Sequence, residues 1–241
     1  PTRLFIVRHA QSQYNAAYLN YKEYLNPDSD PRLIDAILTE EGEKQCLKAS
    51  KDFVKSELPN LETVIVSPLR RCLQTAYLLF RKHPNFKDIR FVIHPNLREG
   101  LHASCDVAQS FETTLAQFAP LLPNLDTSLM LGLFSEMPEG MSKDLWFVYN
   151  CGELSHEILP LINDNISSGE PVDKAVLKAI SKKHFCEHHS QNMLRRIERV
   201  KNTAREVLAN SEGQVVLVGH GVIFNNMVHA HLKNCEFKAV Q

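Results

Sequence analysis

The sequence LFIVRHAQSQYN at residues 4–15 contains a short apolar run, Leu4 to Val7, that ends directly at Arg8 and His9. The run is too short for a helix and is rich in β-branched and aromatic residues, so it predicts a strand. Its apolar residues are continuous rather than alternating, which is typical of a parallel strand covered on both faces. We therefore expect a buried strand whose carboxyl end presents an arginine and a histidine.

Three further apolar runs of the same kind follow along the 241-residue chain. They lie at residues 63–66, 90–93 and 214–218. Amphipathic helical patterns lie among them, at residues 43–58, 69–80 and 192–210. This alternation of strands and helices predicts βαβ units and an α/β fold with a mostly parallel sheet.

The segment from about residue 100 to 190 has a different character. Proline, serine and asparagine interrupt it, and it contains two helix-like pieces at residues 153–166 and 171–184. We interpret it as a long, mainly helical insertion that packs over the sheet. Residues 1–241 are accordingly predicted to form a single domain.

Charge and cysteine usage exclude several classes of protein. The 27 lysines and arginines balance 28 aspartates and glutamates, so binding of nucleic acid or of a membrane surface through the overall field is not expected. No apolar run approaches the roughly 20 residues that span a bilayer, and the first residues do not resemble a signal peptide. The six cysteines form no CxxC pair and none precedes an arginine by six residues, which excludes a cysteine-phosphatase loop. Reduced thiols and a cytoplasmic location are therefore predicted.

Residues that carry chemistry follow each apolar run. The four runs lead into Arg8 and His9, Ser67 to Arg71, His94 to Glu99, and Gly219 to Gly221. Ligands of open α/β sheets bind outside the carboxyl ends of the strands, so these residues converge if the strands are neighbours. The resulting pocket would be positively charged in a chain that is neutral overall.

A cationic pocket with a histidine suits phosphate chemistry. A phosphoryl group carries negative charge on three oxygens, and the guanidinium of arginine matches them with a rigid fork of donors. Imidazole can attack phosphorus and leave again, which splits one difficult displacement into two. A carboxyl group is then needed to protonate the departing alkoxide.

Four blocks, taken together and in order, resemble the motifs of the histidine phosphatase superfamily in its phosphoglycerate mutase-like branch. They are RHAQSQYN at 8–15, LTEEG at 38–42, SPLRRCLQTA at 67–76 and GHG at 219–221. The resemblance covers residues 3–99 and 192–232, and it implies a three-layer sandwich in which helices flank a mostly parallel sheet. Two shorter segments, at 97–106 and 234–236, are similar to a group of eukaryotic phosphoglycerate mutase-like proteins.

The resemblance also implies residue roles. His9 is the expected phosphorylated nucleophile and Glu99 the expected proton donor. The residues expected to hold the phosphoryl oxygens are Arg8, Asn15, Arg71 and His220. Arg71 is preferred to the adjacent Arg70, because the family arginine lies four residues after the serine of its block.

Two departures from the family pattern and two alternatives accompany these assignments. Ala10 replaces the usual glycine, which narrows the allowed backbone angles but is expected to be tolerated. Gln11 stands where many mutases have glutamate, which favours a phosphatase. The alternatives to Glu99 as proton donor are Glu112 and Glu136 in the insertion.

The segment with His184, Cys186, His188 and His189 contains metal-ligand residue types. Structural zinc normally needs a second pair of ligands from another segment, and the sequence shows no such pair. A solvated basic segment is therefore the favoured interpretation. No metal or cofactor is expected.

The favoured prediction is a metal-independent phosphomonoesterase that hydrolyses a small phosphorylated metabolite through a phosphohistidine on His9. The first alternative is a 2,3-bisphosphoglycerate-dependent phosphoglycerate mutase, which returns the phosphoryl group to a bound sugar acid. The second is a scaffold, or a signalling protein that dephosphorylates a protein partner. Substrate specificity is expected to lie in the insertion, and no oligomeric state is predicted.

Overall fold

The computed structural model describes residues 3–20 and 22–240. Its strands are β1 (Leu4–Arg8), β2 (Leu61–Val66), β3 (Arg90–Ile93), β4 (Leu125–Asp126), β5 (Gln214–Gly219) and β6 (Phe237–Val240). Within the described residues they form one six-stranded sheet in the order β4-β3-β2-β5-β1-β6. Neighbouring strands pair in parallel, except for β1 and β6, which are antiparallel.

Helices cover both faces of this sheet. They are α1 (Gln13–Ala17), α2 (Glu40–Ala49), α3 (Lys55–Glu57), α4 (Arg70–Phe80), α5 (Phe111–Phe118), α6 (Ser128–Glu136), α7 (Trp146–Tyr149), α8 (Leu159–Ser167), α9 (Val172–Lys183), α10 (Gln191–Ala209) and α11 (Gly221–Val228). A π-helical segment, Ser50–Val54, joins α2 to α3. In the part of the chain that the structure describes, no helix is both long and apolar enough to cross a bilayer.

The two faces of the sheet bury separate apolar clusters, because successive strand residues point to opposite sides. Val64 and Val66 of β2 face one cluster, which includes side chains of α2 and α4. Ile65 faces the other cluster, which is covered by α10 and α11. The expected three-layer α/β sandwich is therefore confirmed.

Residues 100–190 form a mainly helical segment that packs on the same face as α2 and α4. Phe111, Met130, Trp146 and Val176 of this segment are buried in one cluster with β2 and β3. The segment also contributes β4, which extends the sheet beyond β3. Its core is thus continuous with that of the sheet on this face.

Three of the elements that differ from the sequence prediction have a simple physical explanation. The predicted helix at 153–166 is a 3-10 turn (Gly152–Glu157) followed by α8, because Pro160 lacks a backbone N–H and starts a new helix. β4 has only two residues and shows no periodicity to detect. β6 contains a lysine and lies at the edge of the sheet, so it lacks the continuous apolar signal of the central strands.

Candidate active site

Two histidines lie side by side at the carboxyl edge of the sheet. His9 follows β1 and His220 follows β5, and these strands pair with Arg8 opposite Gly219. The backbone N–H of His9 donates to the carbonyl of Gly219 at 2.9 Å, which continues the pairing past the strand. The two imidazole rings meet edge to face with their centroids 5.3 Å apart. Strand order and register therefore bring these residues together.

The imidazole of His9 is held in one tautomer. Its Nδ1 lies 2.8 Å from the carbonyl oxygen of Ala10, and because a carbonyl only accepts, Nδ1 carries the proton. The pKa of His9 lies well below its usual value, first because the ring is buried and then because of the charges of Arg71 and Arg8. The ring is therefore neutral, and Nε2 keeps the lone pair that a nucleophile needs.

His220 holds Arg71 close to the ring of His9. Nη2 of Arg71 donates to Nδ1 of His220 at 3.2 Å, so the ring proton is on Nε2. That Nε2 lies 2.8 Å from Oγ of Ser67 and donates to it. Burial, and next the charge of Arg71, keep the pKa of His220 well below its usual value. The ring is therefore neutral and accepts from the arginine.

Arg71 is a cation that is only 2% exposed. Its Nη2 also lies 3.2 Å from Oδ1 of Asp106, and its Nη1 donates to the carbonyl of Cys105. Burial opposes the charge, but Cys105 and Asp106 raise the pKa of Arg71 above its usual value. Sequence reasoning did not select Asp106 as a site residue. The only sequence feature that could have indicated it is its position in the segment 97–106, which is similar to phosphoglycerate mutase-like proteins.

Arg8 reaches the site from the end of β1. Its Nη1 donates to the carbonyl of Leu232 at 3.0 Å, whereas its buried Nε has no hydrogen-bond partner among the described residues. A Cβ on Gly221 would come within 3.3 Å of that Nε, so the glycine allows a close approach of the guanidinium. Burial lowers the pKa of Arg8, and nearby Glu99 opposes this effect. An incompletely bonded, partly desolvated cation suits an anionic ligand.

Asn15 is oriented by hydrogen bonds at the start of α1. Its Oδ1 accepts from the backbone N–H of Ser12 at 3.1 Å and from Nδ2 of Asn234 at 3.2 Å. Nδ2 of Asn234 also lies 3.0 Å from the carbonyl oxygen of His9 and donates to it. Because its oxygen is engaged, Asn15 has its Nδ2 group to offer to a ligand. Asn234 was also missed by sequence reasoning, although it belongs to the short segment at 234–236.

Glu99 approaches from the end of β3. Its Oε1 accepts from the N–H of Gly100 at 3.0 Å, and its Oε2 accepts from the N–H of Val222 at 3.2 Å. Burial, and after it the negative charge of Asp106, raise the pKa of Glu99 above its usual value. A carboxyl group with a raised pKa suits the delivery of a proton near neutral pH.

The loop after His9 is fixed by its contact with α2. Oγ1 of Thr39 accepts from the N–H of Gly42 at 3.0 Å, which caps the helix, and donates to Oε1 of Gln11 at 2.7 Å. A Cβ on Gly42 would lie 2.1 Å from the carbonyl oxygen of Gln11, so only glycine fits there. Ala10 is buried and is not among the described residues with positive φ, so alanine is accommodated in the usual glycine position.

Three residues considered from the sequence lie apart from this constellation. Nε of Arg70 donates to the carbonyl of Asp35 at 2.9 Å, and the two side chains form an ion pair. Glu112 and Glu136 are exposed on α5 and α6. Within the described residues, neither has a hydrogen bond or ion pair through its side chain with the residues of the site.

The segment His184 to His189 is not uniformly solvated, which corrects the sequence interpretation. Cys186 is exposed, but Glu187 between these residues is fully buried. The ring of His188 packs against Gly100, where a Cβ would lie 2.5 Å from Cδ2. The residues that the structure describes contain no group of three or more metal-ligand side chains that could hold a metal ion.

The six residues selected from the sequence are linked by contacts at one edge of the sheet. Arg71 bonds to His220, whose ring meets His9, and Asn234 bridges His9 to Asn15. Gly221 and Val222, the first residues of α11, contact Arg8 and Glu99 respectively. A neutral imidazole, two cations, an amide donor and a carboxyl group of raised pKa are thus grouped. Such a set can bind a phosphoryl group, attack it and protonate the leaving oxygen.

Comparison with protein families covers the N-terminal half of the chain. The family model described as "Histidine phosphatase superfamily (branch 1)" matches residues 4–124. This range contains the RHAQSQYN, LTEEG and SPLRRCLQTA blocks together with Glu99. The GHG block at 219–221 lies outside the matched range.

Two curated relatives and one solved structure illustrate the similarity. A Schizosaccharomyces pombe protein named a probable phosphatase is 28% identical over 115 residues, which are 48% of this chain and 49% of that protein. Phosphoglycerate mutase-like protein 1 of Arabidopsis thaliana is 42% identical over 79 residues, which are 32% of this chain and 27% of that protein. The chain thus spans about half of the first relative and about a quarter of the second. The structure of the α-ribazole phosphatase of Shigella flexneri aligns with a TM-score of 0.46 at 17% identity, covering 99% of this chain and 90% of that one.

Proposed function

The chain belongs to the histidine phosphatase superfamily (branch 1), and on that premise we propose that it is a metal-independent phosphomonoesterase that works through a phosphohistidine on His9. The observation that carries the proposal is the tautomer of His9. Its Nδ1–H is committed to the carbonyl of Ala10, which leaves a neutral Nε2 beside the two guanidinium groups of Arg8 and Arg71. This is a nucleophile placed among groups that stabilise negative charge.

In the first step, the lone pair of Nε2 on His9 attacks phosphorus and the bond from phosphorus to the ester oxygen breaks. Arg8, Arg71 and Asn15 are the proposed ligands of the phosphoryl oxygens. His220 was expected to join them, but its two ring nitrogens are engaged by Arg71 and Ser67, so we propose that it holds Arg71 in place. Positioning and charge stabilisation by such groups supply most of the catalysis of phosphoryl transfer. Glu99, whose raised pKa favours the protonated form, gives its proton to the departing alkoxide.

In the second step, water attacks phosphorus and the bond between phosphorus and Nε2 of His9 breaks. Glu99, now a carboxylate, accepts a proton from that water, which restores the acid form. Inorganic phosphate leaves, and the imidazole returns to its neutral tautomer. The same carboxyl group therefore acts first as acid and then as base, and no metal ion takes part in either step.

We propose a small phosphorylated metabolite as the substrate. His9 is only 4% exposed and His220 and Arg71 are buried beside it, so the proposed nucleophile lies beneath the surface of the molecule. The phosphate of a small monoester can reach such a depth, whereas a folded phosphoprotein keeps its phosphoserine close to its own surface. The name of the S. pombe relative is in keeping with a phosphatase activity.

Trapping the covalent intermediate tests this mechanism. The protein is mixed with labelled nitrophenyl phosphate in a buffer that contains EDTA and is quenched in alkali, which preserves phosphohistidine. We expect label on the unmodified protein and on His156→Ala, an exposed-histidine control, and none on His9→Ala. Undiminished label on His9→Ala, or dependence of labelling on an added metal ion, would refute the mechanism.

Product analysis separates hydrolysis from transfer. A panel of phosphate monoesters, including 3-phosphoglycerate, is assayed with and without 2,3-bisphosphoglycerate. A phosphatase releases inorganic phosphate without the bisphosphate. Isomerisation of 3-phosphoglycerate that requires the bisphosphate and releases little phosphate would identify a mutase instead.

A further inference from the structure

A buried network of charges adjoins the turn that carries Glu99. The carboxylate of Glu187 accepts from Arg98 at both oxygens, at 2.7 and 3.2 Å, and from Nη1 of Arg196 at 2.7 Å. Burial alone would raise the pKa of Glu187, but the two arginines outweigh it and hold the pKa well below the usual range. Three buried charges cost much desolvation, so stability alone is a poor explanation for them.

The network fixes the peptide unit that orients the carboxyl group of Glu99. Nη1 of Arg98 donates to the carbonyl of Glu99 at 2.8 Å. The N–H of the same peptide unit, on Gly100, donates to Oε1 of the Glu99 side chain at 3.0 Å. Because a peptide unit is planar, the guanidinium that holds its carbonyl also sets the direction of the N–H that holds the carboxyl group.

The residues on either side of that peptide unit are held by the same network. Nη2 of Arg196 donates to the carbonyl of Arg98 and lies 3.4 Å from the carbonyl of Asn96. The N–H of Leu101 donates to Oε2 of Glu187 at 2.9 Å, and the N–H of Glu187 returns a bond to the carbonyl of Leu101 at 3.0 Å. Residues 98–101 belong to no helix or strand, so these contacts replace backbone pairing.

The start of α10 and the segment before it pack directly against the turn at residues 98–101. A Cβ on Gly100 would lie 2.4 Å from Cε of Met193 and 2.5 Å from Cδ2 of His188. Nδ2 of Asn192 donates to Oε1 of Glu187 at 2.8 Å, which anchors the carboxylate to the first turn of the helix. The turn therefore has little freedom to shift while this network is intact.

We propose that Glu187, acting through Arg98 and Arg196, is a positioning residue that holds Glu99 where it can protonate the leaving group. This inference rests on the function proposed above. Glu187 touches neither His9 nor the phosphoryl ligands and acts through the backbone of the acid's own turn. Its loss should therefore penalise substrates that need the proton and spare substrates that do not.

The test measures the rate of His9 phosphorylation in the pre-steady-state burst for two esters. Glycerol phosphate has a poor leaving group that needs the acid, whereas nitrophenyl phosphate has a good leaving group that does not. Glu187→Gln should lose on the order of 100-fold on glycerol phosphate, the cost of displacing a catalytic group by about 1 Å, with KM nearly unchanged. The burst on nitrophenyl phosphate should be almost unaffected.

Two more variants keep the result interpretable. Arg196→Lys retains a cation for Glu187 but cannot also reach the carbonyls, so it should show the same split between esters and decides the matter if Glu187→Gln does not fold. Val200→Ala lies one turn along α10 in the apolar cluster and tests destabilisation without contact to the network. It should affect both esters equally or neither.

Equal losses on the two esters in Glu187→Gln and Arg196→Lys would overturn the inference and leave the proposed function intact. If the unmodified protein phosphorylates His9 with neither ester, the proposed function itself is wrong and the inference is overturned with it. A loss confined to glycerol phosphate in Glu187→Gln and Arg196→Lys supports the positioning role.

Discussion

Burial shifts the pKa values of the site histidines and of Glu99 in opposite directions. Burial disfavours whichever form is charged, so it lowers the pKa values of His9 and His220 and raises that of Glu99. The nearby arginines strengthen the effect on the histidines, and Asp106 strengthens it on Glu99. Opposite pKa shifts of this kind suit neutral His9 to the proposed role of nucleophile and Glu99 to the proposed role of acid.

The contribution of Asp106 gives a prediction for pH dependence. Asp106→Asn removes the negative charge that helps to raise the pKa of Glu99, and it also leaves Arg71 less neutralised; both changes lower that pKa. In the proposed mechanism, hydrolysis of an alkyl phosphate requires protonated Glu99, so kcat/KM should fall as pH rises through the Glu99 pKa. In Asp106→Asn this fall should begin at a lower pH, which a pH profile of kcat/KM measures.

Two other variants serve as controls for the pH profile of Asp106→Asn. Asp126→Asn removes a carboxylate that pairs with Arg90 at the far edge of the sheet, and its profile should match that of the unmodified protein. Glu99→Gln has no proton to lose and should lack the descending limb altogether. A limb that stays at the same pH in Asp106→Asn would mean that Asp106 does not tune the acid.

At the scale of whole elements, the sequence was most informative where strands are covered on both faces. β1, β2, β3 and β5 have continuous apolar runs, so their positions and the residues at their carboxyl ends were predictable. Once the four strands were expected to be neighbours, the grouping of His9, Arg71, Glu99 and His220 followed. The edge strands β4 and β6 have no continuous apolar run in the sequence, because their residues are only partly buried or are exposed.

Contributions from loops could not be predicted in the same way. Asp106, Asn234 and Glu187 lie outside the strand ends, and their places depend on the path of the whole chain. The segment at 184–189 illustrates the difficulty, since its composition resembles a solvated surface while Glu187 is fully buried. A single carboxylate that is buried by tertiary packing produces no periodic pattern in the sequence around it.

The contact between α2 and the loop after His9 gives a prediction at this scale. Gly42→Ala would place a Cβ within 2.1 Å of the carbonyl of Gln11, so the loop or the helix must shift. We expect a loss of about 1–3 kcal/mol in the free energy of unfolding, the usual cost of overpacking. Phosphorylation of His9 should slow as well, because the displaced loop directly follows His9, the proposed nucleophile.

Gly132→Ala is the matched control, since Gly132 also lies within a helix, α6, and a methyl group added there would meet no described atom within 4 Å. It should gain about 0.5–1 kcal/mol from the lower backbone entropy of alanine in the unfolded chain. Denaturant unfolding measures both variants. Equal effects of the two substitutions would show that α2 does not constrain the loop.

At the scale of the whole molecule, positive charge is concentrated in a chain whose formal net charge is −1. Arg8 and Arg71 are brought to the site by β1 and by the start of α4, at the edge where the parallel strands end. Both faces of the sheet are sealed by apolar clusters, so this edge is where ligands of an open α/β sheet are expected. A tetrahedral oxyanion is therefore expected to bind there rather than to the surface in general.

Binding of such an anion should stabilise the entire fold, because a ligand specific to the folded state shifts the unfolding equilibrium. Tungstate at 100 times its Kd should add about 2.7 kcal/mol, which raises Tm by roughly 5–10 °C in a chain of this length. Arg8→Gln removes the guanidinium whose Nε is unpartnered within the described residues and should lose most of this shift. Arg81→Gln, an exposed control at the end of α4, should keep it, and chloride at equal ionic strength should not reproduce it. An equal rise of Tm in Arg8→Gln and Arg81→Gln would mean that the anion binds elsewhere on the molecule.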